Sequence, residues 1–216
     1  MDNNKIVITS ALRTAIGSFG RSLKNISSSD LGSKVIQTSI EKIKIKKNEI
    51  DEIIMGQVLT GGLGQNPARQ AAIKSGVSKE VPAYIVNQVC GSGIRSVASG
   101  FQSIKSNDSK IIVAGGQENM SLAPHALHLR SEKKLGDTKL IDTMIKDGLW
   151  DVFNDYHMGV TAENVAEKFQ ITREEQDKFA LKSQEKAIKA QKDNKFKDEI
   201  VSLKIKSKKA EVDFNQ

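Results

Sequence analysis

Ala83-Tyr84-Ile85-Val86-Asn87-Gln88-Val89-Cys90-Gly91-Ser92-Gly93 is the stretch on which the reading of this chain turns. Its first four residues are apolar, with β-branched and aromatic members, and they predict a strand. Beyond the glycines, Ile94, Val97, Ala98, Phe101 and Ile104 recur at helical spacing and predict a helix. Cys90, the only cysteine, falls at the junction. A helix start offers unpaired backbone N–H groups and the positive end of the macrodipole, and both favour the thiolate, the reactive form of cysteine. Gly91 and Gly93 leave the backbone open beside the sulfur, so a bulky group can approach it. The competing reading of a lone cysteine is a small buried hydrophobe, and spacing alone does not decide between the two.

The same alternation extends outward from this junction. Lys5 to Ser10 reads as a first strand, and Asp30 as the cap of a helix carrying Leu31, Val35, Ile36, Ile40 and Ile43. Asp51 to Leu59 gives a second strand. Asn66-Pro67 reads as an N-cap followed by proline at the first helical position, with Gly76 closing that helix. Lys110 to Gly115 supplies another strand. Repeated strand–helix alternation predicts a layered α/β domain with a largely parallel, buried sheet.

After Ser121 the character changes. Residues 120 to 155 hold no period for long. A helix is expected over roughly Thr161 to Phe169, and a second one begins at Thr172-Arg173-Glu174-Glu175, a capping box. That second helix carries only a thin stripe of Phe179, Ser183, Ala187 and Ala190. Residues 195 to 216 suggest short strands through Ile200-Val201 and Leu203-Lys204-Ile205. There is no internal repeat and no Pro- or Ser-rich linker.

Several segments, in order, resemble one known family. Asn87-Gln88-Val89-Cys90-Gly91-Ser92-Gly93 is similar to the nucleophile motif of thiolases, the acetyl-CoA acetyltransferases. The likeness continues through Gly115-Gly116-Gln117-Glu118-Asn119-Met120-Ser121, Ile141 to Leu149 and Tyr156-His157-Met158-Gly159 onward to Asn164. Gly64-Gln65-Asn66-Pro67-Ala68-Arg69-Gln70 also fits, and the resemblance runs from about Ile6 to Val212. It implies the N-terminal half of the thiolase fold: an incomplete α/β domain over residues 1–120 and a truncated, inserted loop domain over 121–216. In such a protein Cys90 is the catalytic nucleophile, and Leu149, His157 and Met158 line the channel for the pantetheine arm of coenzyme A. A mostly apolar tunnel with one polar group suits that long, thin substituent. The resemblance also implies a homo-oligomer, a tetramer when complete.

The implied reaction is two-step acyl transfer through an S-acyl cysteine, between acetyl-CoA molecules or between a 3-ketoacyl-CoA and coenzyme A. Coenzyme A and its acyl esters are substrates, and no permanently bound cofactor is expected. The family also uses a second cysteine and a histidine from its C-terminal half. Here there is one cysteine, and the three histidines, His125, His128 and His157, all lie in matched segments. The expectation is therefore a partial thiolase, inactive by itself. The alternatives are a non-catalytic acyl-CoA-binding remnant or assembly subunit, and a β-ketoacyl synthase-like condensing enzyme. The Gly-Gly-Gln-Glu-Asn-Met-Ser and Tyr-His-Met-Gly segments argue against the last.

Composition narrows the class. A hydrophobic content of 38% and an aromatic content of 5% are lean for 216 residues, so some apolar faces are expected to meet a partner surface. A single cysteine excludes an internal disulfide framework and suits a reducing compartment. Met1 to Lys5 leads directly into Ile6-Val7-Ile8, so neither a signal peptide nor an Arg-rich transit segment is expected, and no apolar run approaches the ~20 residues of a membrane helix. A cytoplasmic protein without membrane association is the expectation. Much of the net charge of +7 comes from Lys182 to Lys209, where ten lysines face Glu185, Asp193, Asp198 and Glu199. That stretch has no arginine and a single aromatic, Phe196, so nucleic acid is not expected as a partner. A solvated surface explains it better.

Three weaker signals are set aside. Gly91-Ser-Gly93-Ile-Arg-Ser96 has serine where a dinucleotide fingerprint needs its third glycine. Gly61-Gly62-Leu63-Gly64 lacks the lysine and hydroxyl of a phosphate loop. His125 and His128 have no neighbouring carboxylate or thiolate in metal-ligand spacing, so no metal site is expected.

Overall fold

A computed structural model describes residues 5–128, 135–206 and 211–214. At its centre is a three-stranded parallel sheet. β1 (Arg13–Thr14) lies apart from it; β2 (Glu52–Gly56) takes the middle, with β3 (Ala83–Val86) on one side and β4 (Ile112–Gly116) on the other. α1 (Ser28–Ile43) and α2 (Pro67–Lys74) cover one face, and α3 (Ser92–Lys105) packs on β2 and β4. This is the layered α/β arrangement that strand–helix alternation predicts.

The two faces of β2 are built differently. Ile53 and Met55 point to the α1/α2 side, into a core with Ile36, Ile40, Ala68, Ala71 and Val77. Alternation along the strand sends Ile54 and Gly56 the other way, toward α3. There the helix comes close. A methyl added at Gly56 would sit 2.3 Å from the Ser92 carbonyl carbon, and one at Gly100 would sit 3.2 Å from Ile112. Ser96 Oγ reaches the Gly115 carbonyl at 2.7 Å, so α3 is bonded to the strand as well as packed on it. Its outward side leaves Ile94, Val97 and Phe101 exposed.

Local chemistry accounts for the helix ends. Ser27 caps α1, its hydroxyl accepting the Asp30 N–H, so Asp30 lies inside the first turn rather than at the cap. Asn66 caps α2 with Pro67 at its start, and Gly76 takes φ +81° just beyond its end. α4 (Met158–Lys168) starts three residues earlier than expected, and α5 (Arg173–Lys192) carries the Thr172/Glu175 capping box.

One expected strand is not formed. Residues 5–10 take no strand pairing, and Val7 and Ile8 stand exposed. A strand exists only through the ladder of a neighbour, and here the first pairing comes at β1. It runs parallel to β9 (Ile200–Val201), a join reinforced by the Arg13–Glu199 salt bridge at 2.7 Å. Just beyond, Leu203 packs with Leu23 and Leu31 in a second, smaller core. Residues 198–203 therefore return to the first 42 residues, where Lys42 also holds the Asp198 carbonyl. β10 (Leu203–Lys206) pairs antiparallel with β11 (Glu211–Phe214).

Candidate active site

All three sheet strands run the same way, and in open parallel sheets ligands bind beyond the carboxyl ends of the strands. Three connections gather there. β2 continues into Gln57-Val58-Leu59, β3 into Asn87 to Cys90, and β4 into Gln117-Glu118-Asn119. Backbone bonds stitch them together: Gln57 N–H to the Val86 carbonyl at 3.1 Å, and Gln117 N–H to the Gly56 carbonyl at 3.0 Å.

Cys90 is exposed at this edge, in a tight turn that precedes α3. The helix begins two residues later than a cysteine at its very start would require. Gly91 donates to the Gln88 carbonyl at 3.0 Å and Ser92 to the Val89 carbonyl at 3.1 Å. The turn requires an unusual backbone at Val89, whose φ is +49°. For a β-branched residue this is an outlier that costs about 1–3 kcal/mol. Side chains hold it in place. Asn87 Oδ1 accepts the Val89 N–H at 2.9 Å, while the buried Ser92 hydroxyl accepts the Gln88 N–H at 2.8 Å and donates to the Val89 carbonyl at 2.6 Å.

A buried polar network lies beside the turn. Gln57 is almost fully enclosed, and its amide donates to Ser28 Oγ and the Leu59 carbonyl and accepts from Gln117. Glu118 Oε2 accepts the Val58 N–H at 2.8 Å and lies 3.4 Å from the Leu59 nitrogen. Burial pushes the Glu118 carboxyl above its usual range, more than the hydrogen bonds from Val58, Leu59 and Asn119 pull it down. Its Oε1 is buried without a partner among the described residues.

Leu149, His157 and Met158 are brought together by a small hairpin. Leu149 ends a π-helical turn (Met144–Leu149). The next residue, Trp150, opens β7 (Trp150–Asp151), which pairs antiparallel with β8 (Tyr156–His157) and sets Trp150 opposite His157. Met158 then begins α4, half-exposed, with His157 as the cap: its Nδ1 accepts the Gly159 N–H at 2.9 Å. This leaves the neutral ring's proton on Nε2. The π-helical turn approaches the loop after β2 at Leu59, since a methyl added at Gly148 would come within 3.6 Å of Leu59 Cδ2. Leu149 thus lies next to the ladder position opposite His157, and Met158 follows His157 directly.

His125 pairs across β5 (His125–Ala126) and β6 (Ile141–Asp142) with Asp142, Nε2 to Oδ2 3.8 Å, a contact within the loop region. A cavity of about 500 Å³ lies elsewhere, lined by Arg13, Ile16, Phe196 and Lys197, with the Arg13 guanidinium 5.1 Å from the Phe196 ring centre. It contains none of the four expected site residues. Among the described residues no helix is long and apolar enough to cross a membrane. Asn87, Ser92 and Glu118 escape a reading of sequence alone. Only Asn87 carries a local signal, an Asx residue two positions before a turn.

The fold is thus a parallel α/β sheet that sets an exposed cysteine between a strand and a helix at its carboxyl edge. The chain belongs to the thiolase family: it matches the family described as "Thiolase, N-terminal domain" over residues 6–216. It is 56% identical to "Acetyl-CoA acetyltransferase" of Rhizobium meliloti (strain 1021), over all of this chain and 55% of that protein. It is 49% identical to "Acetyl-CoA acetyltransferase, cytosolic" of Rattus norvegicus, over 96% of this chain and 52% of that protein. The crystal structure of the Bacillus anthracis acetyl-CoA acetyltransferase is similar with a TM-score of 0.92 and 37% identity, over 97% of this chain and 53% of that one. The chain spans about half the length of the curated relatives it matches.

Proposed function

We propose that this chain supplies the nucleophile half of an acetyl-CoA acetyltransferase, in which Cys90 carries the acyl group. The observation that supports the reading best is the placement of an exposed Cys90 in a held turn at the carboxyl edge of a parallel sheet. Cys90 Sγ attacks the thioester carbonyl, the C–S bond to coenzyme A breaks, and coenzyme A leaves as its thiolate. The acyl group then passes to the carbanion of a second acetyl-CoA, releasing the Cys90 thiolate. In the degradative direction Cys90 attacks the 3-keto carbonyl of a 3-ketoacyl-CoA and the C2–C3 bond breaks. Acetyl-CoA leaves as its carbanion and is protonated, and the acyl group passes to coenzyme A. With the Gly91 and Ser92 amides engaged by the turn, we assign the oxyanion's backbone donor to the Cys90 N–H.

This half does not complete the chemistry. Charge at a helix start gains about 0.3–1 kcal/mol, whereas a general base contributes about 10²–10⁴-fold in rate. A base that ionises Cys90, and one that deprotonates the second acetyl-CoA, are proposed to come from residues beyond these 216. The exposed stripe Ile94, Val97 and Phe101 on α3 fits a covering surface of that kind. Residues 1–120 are assigned to the α/β domain and 121–216 to the loop domain. Residues 198–203 of the latter return to the former. The working protein is proposed to be a cytoplasmic homo-oligomer acting on acyl-CoA substrates.

The test is intact-mass analysis after mixing the completed enzyme with acetyl-CoA. A single acetyl adduct on Cys90, lost in Cys90→Ser, is expected; an adduct on another residue would sink the assignment. Leu149, His157 and Met158 are proposed to line the pantetheine channel. Met158→Glu is expected to raise the KM for acetyl-CoA at least ten-fold, with little change in the reaction of Cys90 with iodoacetamide. An unchanged KM in a variant that melts normally removes the hairpin from the binding site.

A further inference from the structure

We propose that Asn87 and Ser92 are positioning residues for Cys90, acting by holding Val89 in the left-handed backbone conformation that the turn requires. Val89 is half-exposed, so side-chain burial does little to hold φ at +49°. The holding comes from polar contacts on both sides of the peptide. Asn87 Oδ1 accepts its N–H, and the Ser92 hydroxyl donates to its carbonyl while accepting the Gln88 N–H. Ser92 is itself seated on the sheet, because Gly56 has no side chain to keep it away. A rigid strand therefore fixes the serine, the serine and asparagine fix Val89, and Val89 sets the direction in which Cys90 leaves the turn. With the clamp removed, a valine relaxes to negative φ and the turn opens. Glycine at position 89 would adopt the same φ without strain, so it would no longer need the clamp.

This inference rests on Cys90 as the reactive thiol, and the test reads that thiol without acyl-CoA. The rate of Cys90 alkylation by iodoacetamide is measured by intact mass in the full chain and in Asn87→Ala, Val89→Gly and the double variant, each checked by a thermal melt. Asn87→Ala is expected to slow alkylation about three- to ten-fold when residue 89 is valine, and less than two-fold when it is glycine. Ser92→Ala, made in both backgrounds, is expected to follow the same pattern. If Asn87→Ala does not fold, recovery of folding in the double variant supports the clamp, and its absence overturns it. Equal losses in both backgrounds, or no loss in a folded Asn87→Ala variant, also overturn it. Failure of the nucleophile reading would show separately, as an acetyl adduct away from Cys90 in the completed enzyme.

Discussion

The β2–β4 ladder is tied at both ends by a carboxylate that takes consecutive backbone N–H groups from the neighbouring strand's flank. At the entry end, Asp51 Oδ2 accepts from Lys110 at 2.7 Å and Ile111 at 2.9 Å. At the exit end, Glu118 holds Val58 and Leu59. The two ties differ in environment. Asp51 stays open to water, and the N–H groups of Ile111 and Lys110 draw its pKa below the ordinary range. Glu118 is half-buried with its Oε1 out of solvent, and that burial drives its pKa upward. The entry end is arranged for stability. The exit end, where Cys90 stands, accepts a half-buried carboxylate, a strained valine and a close helix approach. Functional sites concentrate strain of this kind while the surrounding scaffold over-determines it.

Substitution on the two halves of β2 sharpens the contrast. Ile53→Ala, on the entry half, is expected to cost about 2–5 kcal/mol while leaving Cys90 alkylation within two-fold in the folded protein. Gly56→Ala, on the exit half, is expected to cost about 1–3 kcal/mol and also to change the alkylation rate, because the new methyl pushes on Ser92. Denaturant melts and intact-mass kinetics read the two quantities. If both variants alter alkylation equally, the ends are not separate.

The ties themselves predict opposite pH dependence, a smaller effect. A depressed pKa contributes stability above its unfolded value that is lost as pH falls through the folded pKa. The stability difference between the parent and Asp51→Asn should therefore shrink as pH falls. A raised pKa contributes stability below the unfolded value that is lost as pH rises through the folded pKa. The difference between the parent and Glu118→Gln should shrink as pH rises above glutamate's ordinary 4.5. Urea titrations across the acid range measure both. Slopes of the same sign would break the comparison.

Much of this organisation is legible in the chain, and the rest is hidden for identifiable reasons. Ala83–Val86, Asn66-Pro67 and the Thr172/Glu175 box announce their elements because each is a local interaction written within a few residues. Ile6-Val7-Ile8 reads equally well as a strand, yet pairing depends on a neighbour that no local pattern specifies. Cys90 is visible between a strand and a helix, but the positive φ at Val89 is not. A β-branched residue is among the last expected there, and only the contacts of Asn87 and Ser92 make it tolerable. Trp150, the neighbour of Leu149, and His157 meet through a two-residue ladder too short to leave an alternating pattern.

The packing of Leu203 against Leu23 and Leu31 bears on how the chain is made. The larger core draws on residues 36 to 113 and can close once β4 has left the ribosome. The smaller core waits for Leu203, which at about 5–20 residues per second arrives roughly 4–17 s later. Through that interval Leu23 and Leu31 have only each other and Ile26 to pack on within that core.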